Sequence, residues 1–101
     1  MQLRAGQRLK STACDTEVVV VRAPAGEIDV RCGGERMVAH DDDAPRGSVQ
    51  AGFDQGTVLG KRYASEEDGI ELLCTKAGKG SLALGTTTLA RKDAKPLPSS
   101  D

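Results

Sequence analysis

The side chains best suited to soft-metal or thiol chemistry in this sequence are Cys14, Cys32, Cys74 and its single histidine, His40. Together they suffice for at most one Cys3His zinc or iron centre, and the lone histidine excludes a multi-histidine metal site. A thiolate is also a nucleophile and a redox group. Cys32 sits in "DVRCGGERM" beside Arg31, a cation of the kind that lowers a thiol pKa. Adjacent strand residues face opposite sides, however, which weakens the help Arg31 can give. Cys14 and Cys32 form a candidate reversible disulfide if the turns around them bring the two sulfurs together. Cys74 lies inside the apolar run "GIELLCTK", a mid-strand position that favours a core role.

The remaining polar groups offer less. His40 stands in "AHDDD", where neighbouring acids suit a general base but a polar loop suits plain exposure. The carboxylates of "DDDA" and "SEED" lack the ligand spacing of a calcium loop and read as solvated turns. No glycine-rich segment follows a strand and opens a helix, so no phosphate cradle is expected.

The elements that must hold these residues are strands. "TEVVVVR" (Thr16 to Arg22) is a β-branched run, and "GEIDVR" alternates Ile28 and Val30 with Asp29 and Arg31. "APAG" between them supplies Pro24 and Gly26, which predicts a β-hairpin over Glu17 to Arg31. "GIELLCTK", "AGKG" and "SLALG" predict a second hairpin on the same plan. Arg22 to Val30 aligns with Lys76 to Leu84, "AGQRL" with "QGTVL", and "ERMVA" with "TTTLA". An internal duplication would produce this pattern, as would two independent glycine-turned hairpins. The expected fold is all-β, with two similar antiparallel hairpin units in a small sandwich or barrel-like arrangement. Within one domain, residues 1–39 form the first unit, 40–54 a loop, 55–90 the second unit and 91–101 a flexible tail.

Read together, "LKSTACDTEVVVV" and "DVRCGGERMV" resemble desulforedoxin and the desulforedoxin-like zinc and iron ribbons, over Leu9 to Val38. In that family a Cys-x-x-Cys knuckle leads into a strand, and a Cys-Cys-Gly precedes a methionine. The resemblance places Cys14 at the second ligand, Cys32 and Gly33 at the fourth ligand and its glycine, and Met37 at the methionine. Ser11 and Arg31 then stand at the first and third ligand positions. The resemblance therefore implies the family's knuckle-shaped fold with a degenerate site, unable to form a four-thiolate centre. Cys74 or His40 would have to complete any replacement zinc or iron site.

Composition narrows the role. The 101 residues carry a formal net charge of −1, with Phe53 and Tyr63 the only aromatics. No basic stripe or stacking platform for nucleic acid is expected. No apolar run reaches the length of a membrane span, and "MQLRAGQRLK" lacks a signal-peptide core, which points to a cytoplasmic protein. A core poor in aromatics, together with exposed strand edges, favours a homo-oligomer or a protein partner. The expected function is a non-catalytic accessory or interaction module without a cofactor. The alternative is a metal or redox protein using Cys14 and Cys32 with Cys74 or His40.

Overall fold

The β-branched and alternating runs form strands, and the glycines mark where the chain reverses. A computed structural model describes residues 1–92, and the ten strands of that region fall into two matching sets. The first comprises β1 (Arg8–Lys10), β2 (Glu17–Arg22), β3 (Val30–Cys32), β4 (Glu35–Arg36) and β5 (Val38–Ala39). The second comprises β6 (Arg62–Ser65), β7 (Ile70–Lys76), β8 (Leu82–Leu84), β9 (Thr87–Thr88) and β10 (Ala90–Lys92). Arg91 and Lys92, which the sequence assigns to a tail, thus complete a strand. The rest of that tail, residues 93–101, lies outside the described residues. No helix among the described residues is long and apolar enough to cross a membrane.

Two antiparallel sheets result: one of six strands in the order β10-β6-β7-β2-β1-β5, the other of four in the order β4-β3-β8-β9. The fold is therefore all-β and layered, and the described residues form no closed barrel. Strands β2 and β3 belong to different sheets, so "APAG" carries the chain from one layer to the other. The tight antiparallel reversals fall elsewhere, at β1–β2 and β3–β4 and again at β6–β7 and β8–β9. The strands expected from Glu17 to Arg31 exist, but their ladder partners are β7 and β8. The physical reason is that Val18, Val20, Val30 and Cys32 must all be buried, which two packed layers achieve better than one exposed ribbon.

The strand orders read the same from either end when each strand is exchanged for its counterpart. Val18 pairs with Cys74 and Val20 with Leu72 around a central Val19–Leu73 pair. In the other sheet Val30 pairs with Leu84 and Cys32 with Leu82 around Arg31–Ala83. Backbone bonds repeat in the same way. Gly33 N donates to Ser81 O at 2.9 Å and Gly85 N to Asp29 O at 2.8 Å. Gly6 N donates to Val20 O and Gly60 N to Cys74 O. The counterpart of "AGQRL" is thus "LGKRY" rather than "QGTVL": matching polar-apolar patterns misplace a register that hydrogen bonds define.

The core lies between the sheets and is built from equivalent positions of both halves. Leu9, Val18, Val20, Val30 and Met37 are buried with Tyr63, Leu72, Cys74, Leu82 and Leu89. Burying the aliphatic side chains of this set contributes about 1.5–3 kcal/mol each, and Tyr63 is the one aromatic among them.

Candidate functional site

The two reversals of the first half meet at one point, and a cysteine sits on each. In the β1–β2 turn, Ser11 Oγ accepts the amides of Ala13 and Cys14 at 3.0 and 3.1 Å. Ser11 N closes the turn by donating to Thr16 O at 2.8 Å. This fold of the backbone aims Cys14 into the protein. Cys32 ends β3, and Gly33 and Gly34 follow with φ of 67° and 87°, the left-handed region that a side chain resists. The Cys14 and Cys32 sulfurs stand 3.8 Å apart, and both residues are buried.

Around them lies a ring of small polar groups. Thr16 Oγ1 is 3.2 Å from Cys14 Sγ, and Ser11 Oγ is 3.5 Å away. Thr16 donates onward to Thr57 Oγ1 at 3.3 Å, and Thr57 to Gly80 O at 2.5 Å. The amide of Gly80 returns to Cys14 Sγ at 3.4 Å, which closes the ring. Every buried side-chain nitrogen and oxygen among the described residues has a partner.

The two thiols ionise differently. Burial opposes the charge on Cys14, but hydrogen bonds from the Ser11 and Thr16 side chains and from the Thr16 and Gly80 backbone outweigh it. The net result lowers its pKa to about 7. Burial pushes Cys32 up to about 11, and the neighbouring charge of Cys14 adds to the rise. At neutral pH the pair is therefore part thiolate at Cys14 and thiol at Cys32, a nucleophile beside a reserve.

Glycines from the second half make this possible. A Cβ on Gly78 would lie 2.6 Å from Thr16 N and 2.9 Å from Cys14 Sγ. One on Gly80 would lie 2.8 Å from Gly33 N and 3.1 Å from Cys32 Sγ. Cys14 forms part of the wall of a cleft of about 240 Å3, with Asp15, Arg46, Gly78 and Lys79. A larger recess of about 510 Å3, at Met1, Ile28, Met37 and Val38, borders neither thiol.

The other sequence candidates lie apart from this pair. Cys74 is buried mid-strand opposite Val18, its sulfur donating to Lys76 O at 3.3 Å, and burial raises its pKa. His40 is exposed, and its amide donates to Arg8 O. Arg31 bonds Asp29 Oδ2 at 2.9 Å and Gly34 O at 3.1 Å, so its guanidinium engages a carboxylate and a carbonyl. Among the described residues no group of three or more His, Cys, Asp or Glu is arranged to hold a metal. Two thiols with two hydroxyls already engaged with one another and with backbone do not make a four-thiolate donor set.

Thr16, Thr57, Gly78 and Gly80 are functional neighbours that sequence reasoning missed. Their one signal is the "AGKG" spacing of two glycines, which reads simply as a turn. The second half repeats the knuckle without its chemistry. Ser65 Oγ accepts the amide of Asp68 at 3.4 Å, as Ser11 does for Cys14, and Leu84 occupies the place of Cys32. No protein-family model, no curated protein and no solved structure matches the chain.

Proposed function

We propose that this chain is a small β protein whose functional group is the Cys14–Cys32 pair, working as a reversible dithiol and disulfide. The observation that carries this reading is the 3.8 Å approach of the two sulfurs. Forming the bond requires closure to about 2.05 Å.

The chemistry balances with an external disulfide as oxidant. The Cys14 thiolate attacks one sulfur of that disulfide, its S–S bond breaks, and the departing thiolate takes a proton from water. Cys14 then carries a mixed disulfide and no negative charge, which removes one of the causes holding Cys32 protonated. Cys32 loses its proton, attacks the Cys14 sulfur and expels the second thiol. The protein pair gives up two electrons, and the external disulfide becomes two thiols. A reducing dithiol reverses the sequence, as a cytoplasmic location would ensure.

Thiol counting with mass spectrometry tests the reading. Reduced protein should show three reactive thiols after denaturation, and oxidised protein one, with a Cys14–Cys32 cross-link in the peptide map. Three free thiols under both conditions would sink it. The desulforedoxin-like resemblance fits the same reading, since two knuckle turns that once held metal would leave paired thiols. Duplication of one five-strand unit, followed by loss of thiols from the second copy, would give the matching halves.

A second reading is an interaction module acting as a homo-oligomer or with a protein partner. Val58 and Leu59 favour it, being 45% and 62% exposed side by side. Native mass spectrometry at micromolar concentration tests it: a monomer without co-purifying protein would count against it.

A further inference from the structure

The cleft at Cys14 carries information about what reaches the sulfur. Cys14 is only 7% exposed and forms part of the cleft wall, with Ala13 and Val49 as apolar neighbours. A volume of about 240 Å3 admits the arm of a small molecule, whereas a disulfide within a folded protein would meet the rim first. Gly78 lines the same cleft and packs its backbone so closely on Thr16 and Cys14 that any side chain there would collide with Cys14 Sγ, so this wall of the cleft is bare backbone.

Charge at the mouth is unbalanced. Arg46 is bound to Asp15 at 2.6 Å, so those two cancel. Lys76 and Lys79 also act on Asp15, and Lys76 lies 3.8 Å from Glu17. Lys79 forms no ion pair among the described residues and lines the cleft directly. The exposed ammonium is thus left uncommitted beside the thiol.

We propose that the exchange partner of Cys14 is a small disulfide bearing carboxylates, its carboxylate received by Lys79 while its sulfur enters beside Gly78. This rests on the dithiol reading above and follows the same balanced exchange. It adds the chemical class of the oxidant and a residue that selects it.

Three probes of different charge test it: 3,3′-dithiodipropionate, bis(2-hydroxyethyl) disulfide and cystamine. Each oxidation rate is divided by that of the same probe with free 2-mercaptoethanol, which removes leaving-group differences. The anionic probe should then lead by about tenfold at low ionic strength, as expected for electrostatic steering into a cleft. Added salt should shrink that lead. Lys79→Arg should keep the preference, Lys79→Gln should lose most of it and Lys79→Glu should reverse it toward cystamine. Alkylation by uncharged iodoacetamide reports the intrinsic reactivity of Cys14 in every variant, so a change in the thiol itself is not mistaken for a change in selection. Equal normalised rates for the three probes, or a wild-type preference for cystamine, would overturn the proposal and leave the dithiol reading intact. Failure of every probe to yield the Cys14–Cys32 disulfide would overturn both.

Discussion

The amide of Gly80 donates to the sulfur of Cys14 at 3.4 Å, across 66 positions of sequence. The first half of the chain supplies the thiols, and the second half supplies a donor that stabilises one of them as an anion. A fixed backbone dipole needs no reorganisation when charge appears on the sulfur. The Thr16 hydroxyl differs: it accepts from Cys14 Sγ and donates to Thr57 Oγ1, so donating to a Cys14 thiolate would require it to give up the Thr57 bond.

Alkylation kinetics should separate the two thiols. Iodoacetamide labelling of native protein should rise with pH at Cys14 with an inflection near 7, while Cys32 stays unlabelled throughout the neutral range. Thr16→Val removes one donor to the thiolate and should move the Cys14 inflection upward by roughly one pH unit. Peptide-resolved mass spectrometry reads both sites, and an unmoved inflection would remove Thr16 from the account.

Stability should turn over in alkaline solution. Cys14 titrates at about 7 in the fold, below the roughly 8.5 of a free thiol, so its stabilisation develops as pH rises through that interval. Cys32 titrates at about 11, so the stability contributed by its neutral form is full below roughly 8.5 and is lost as pH climbs toward about 11. Urea midpoints measured on reduced protein should therefore fall above about pH 8.5. Cys32→Ala should flatten that fall, although cavity formation lowers its stability at every pH.

Steric room at the thiol pair is a quantity that mutation can read. Gly78→Ala forces a methyl against Thr16 N and Cys14 Sγ and should cost about 3 kcal/mol. Gly52→Ala meets no atom within 4 Å, and its φ of +88° should limit the cost to about 1–2 kcal/mol. Denaturant midpoints rank the two, and a reversed order would mean the turn carrying Gly78 is not held against Cys14.

The β1–β2 turn should accept an added metal ligand. Ser11 Oγ is 3.5 Å from Cys14 Sγ, so Ser11→Cys brings a third thiol to the pair. The variant should bind cobalt(II) at least about tenfold more tightly than the parent, with thiolate-to-cobalt absorption appearing on titration. Equal affinities would show that this pair of turns does not form a metal site even with a third thiol.

Strand content and the Gly33–Gly34 reversal were legible in the sequence because β-branched alternation and left-handed turns are local properties. Thr16 to Arg22 reads as a strand, and the Gly33–Gly34 reversal reads as a turn, from their own side chains. Pairing was not legible in the same way. The ladder partner of β2 is β7, and apolar residues on both faces of each run allow several arrangements that only tertiary packing decides. The site shows the same division. Cys14 and Cys32 could be singled out by type and spacing, but Thr57, Gly78 and Gly80 reach them from distant positions. No short-range signal marks a glycine as making room for a remote sulfur.

The matching halves have a mechanical consequence. They are joined through β2–β7 in one sheet and β3–β8 in the other, while the loop over residues 40–54 links them in sequence and docks on both, through Gln50 N to Gly33 O and Ser81 N to Phe53 O. That loop acts as a tether: cutting it would leave two chains still clasped through both ladders. Dilution would then matter, because a contact once guaranteed by connectivity would depend on concentration. Neither fragment alone would retain the Cys14 environment, since the first would lack the Gly80 amide and the second has Asp68 where the first has Cys14.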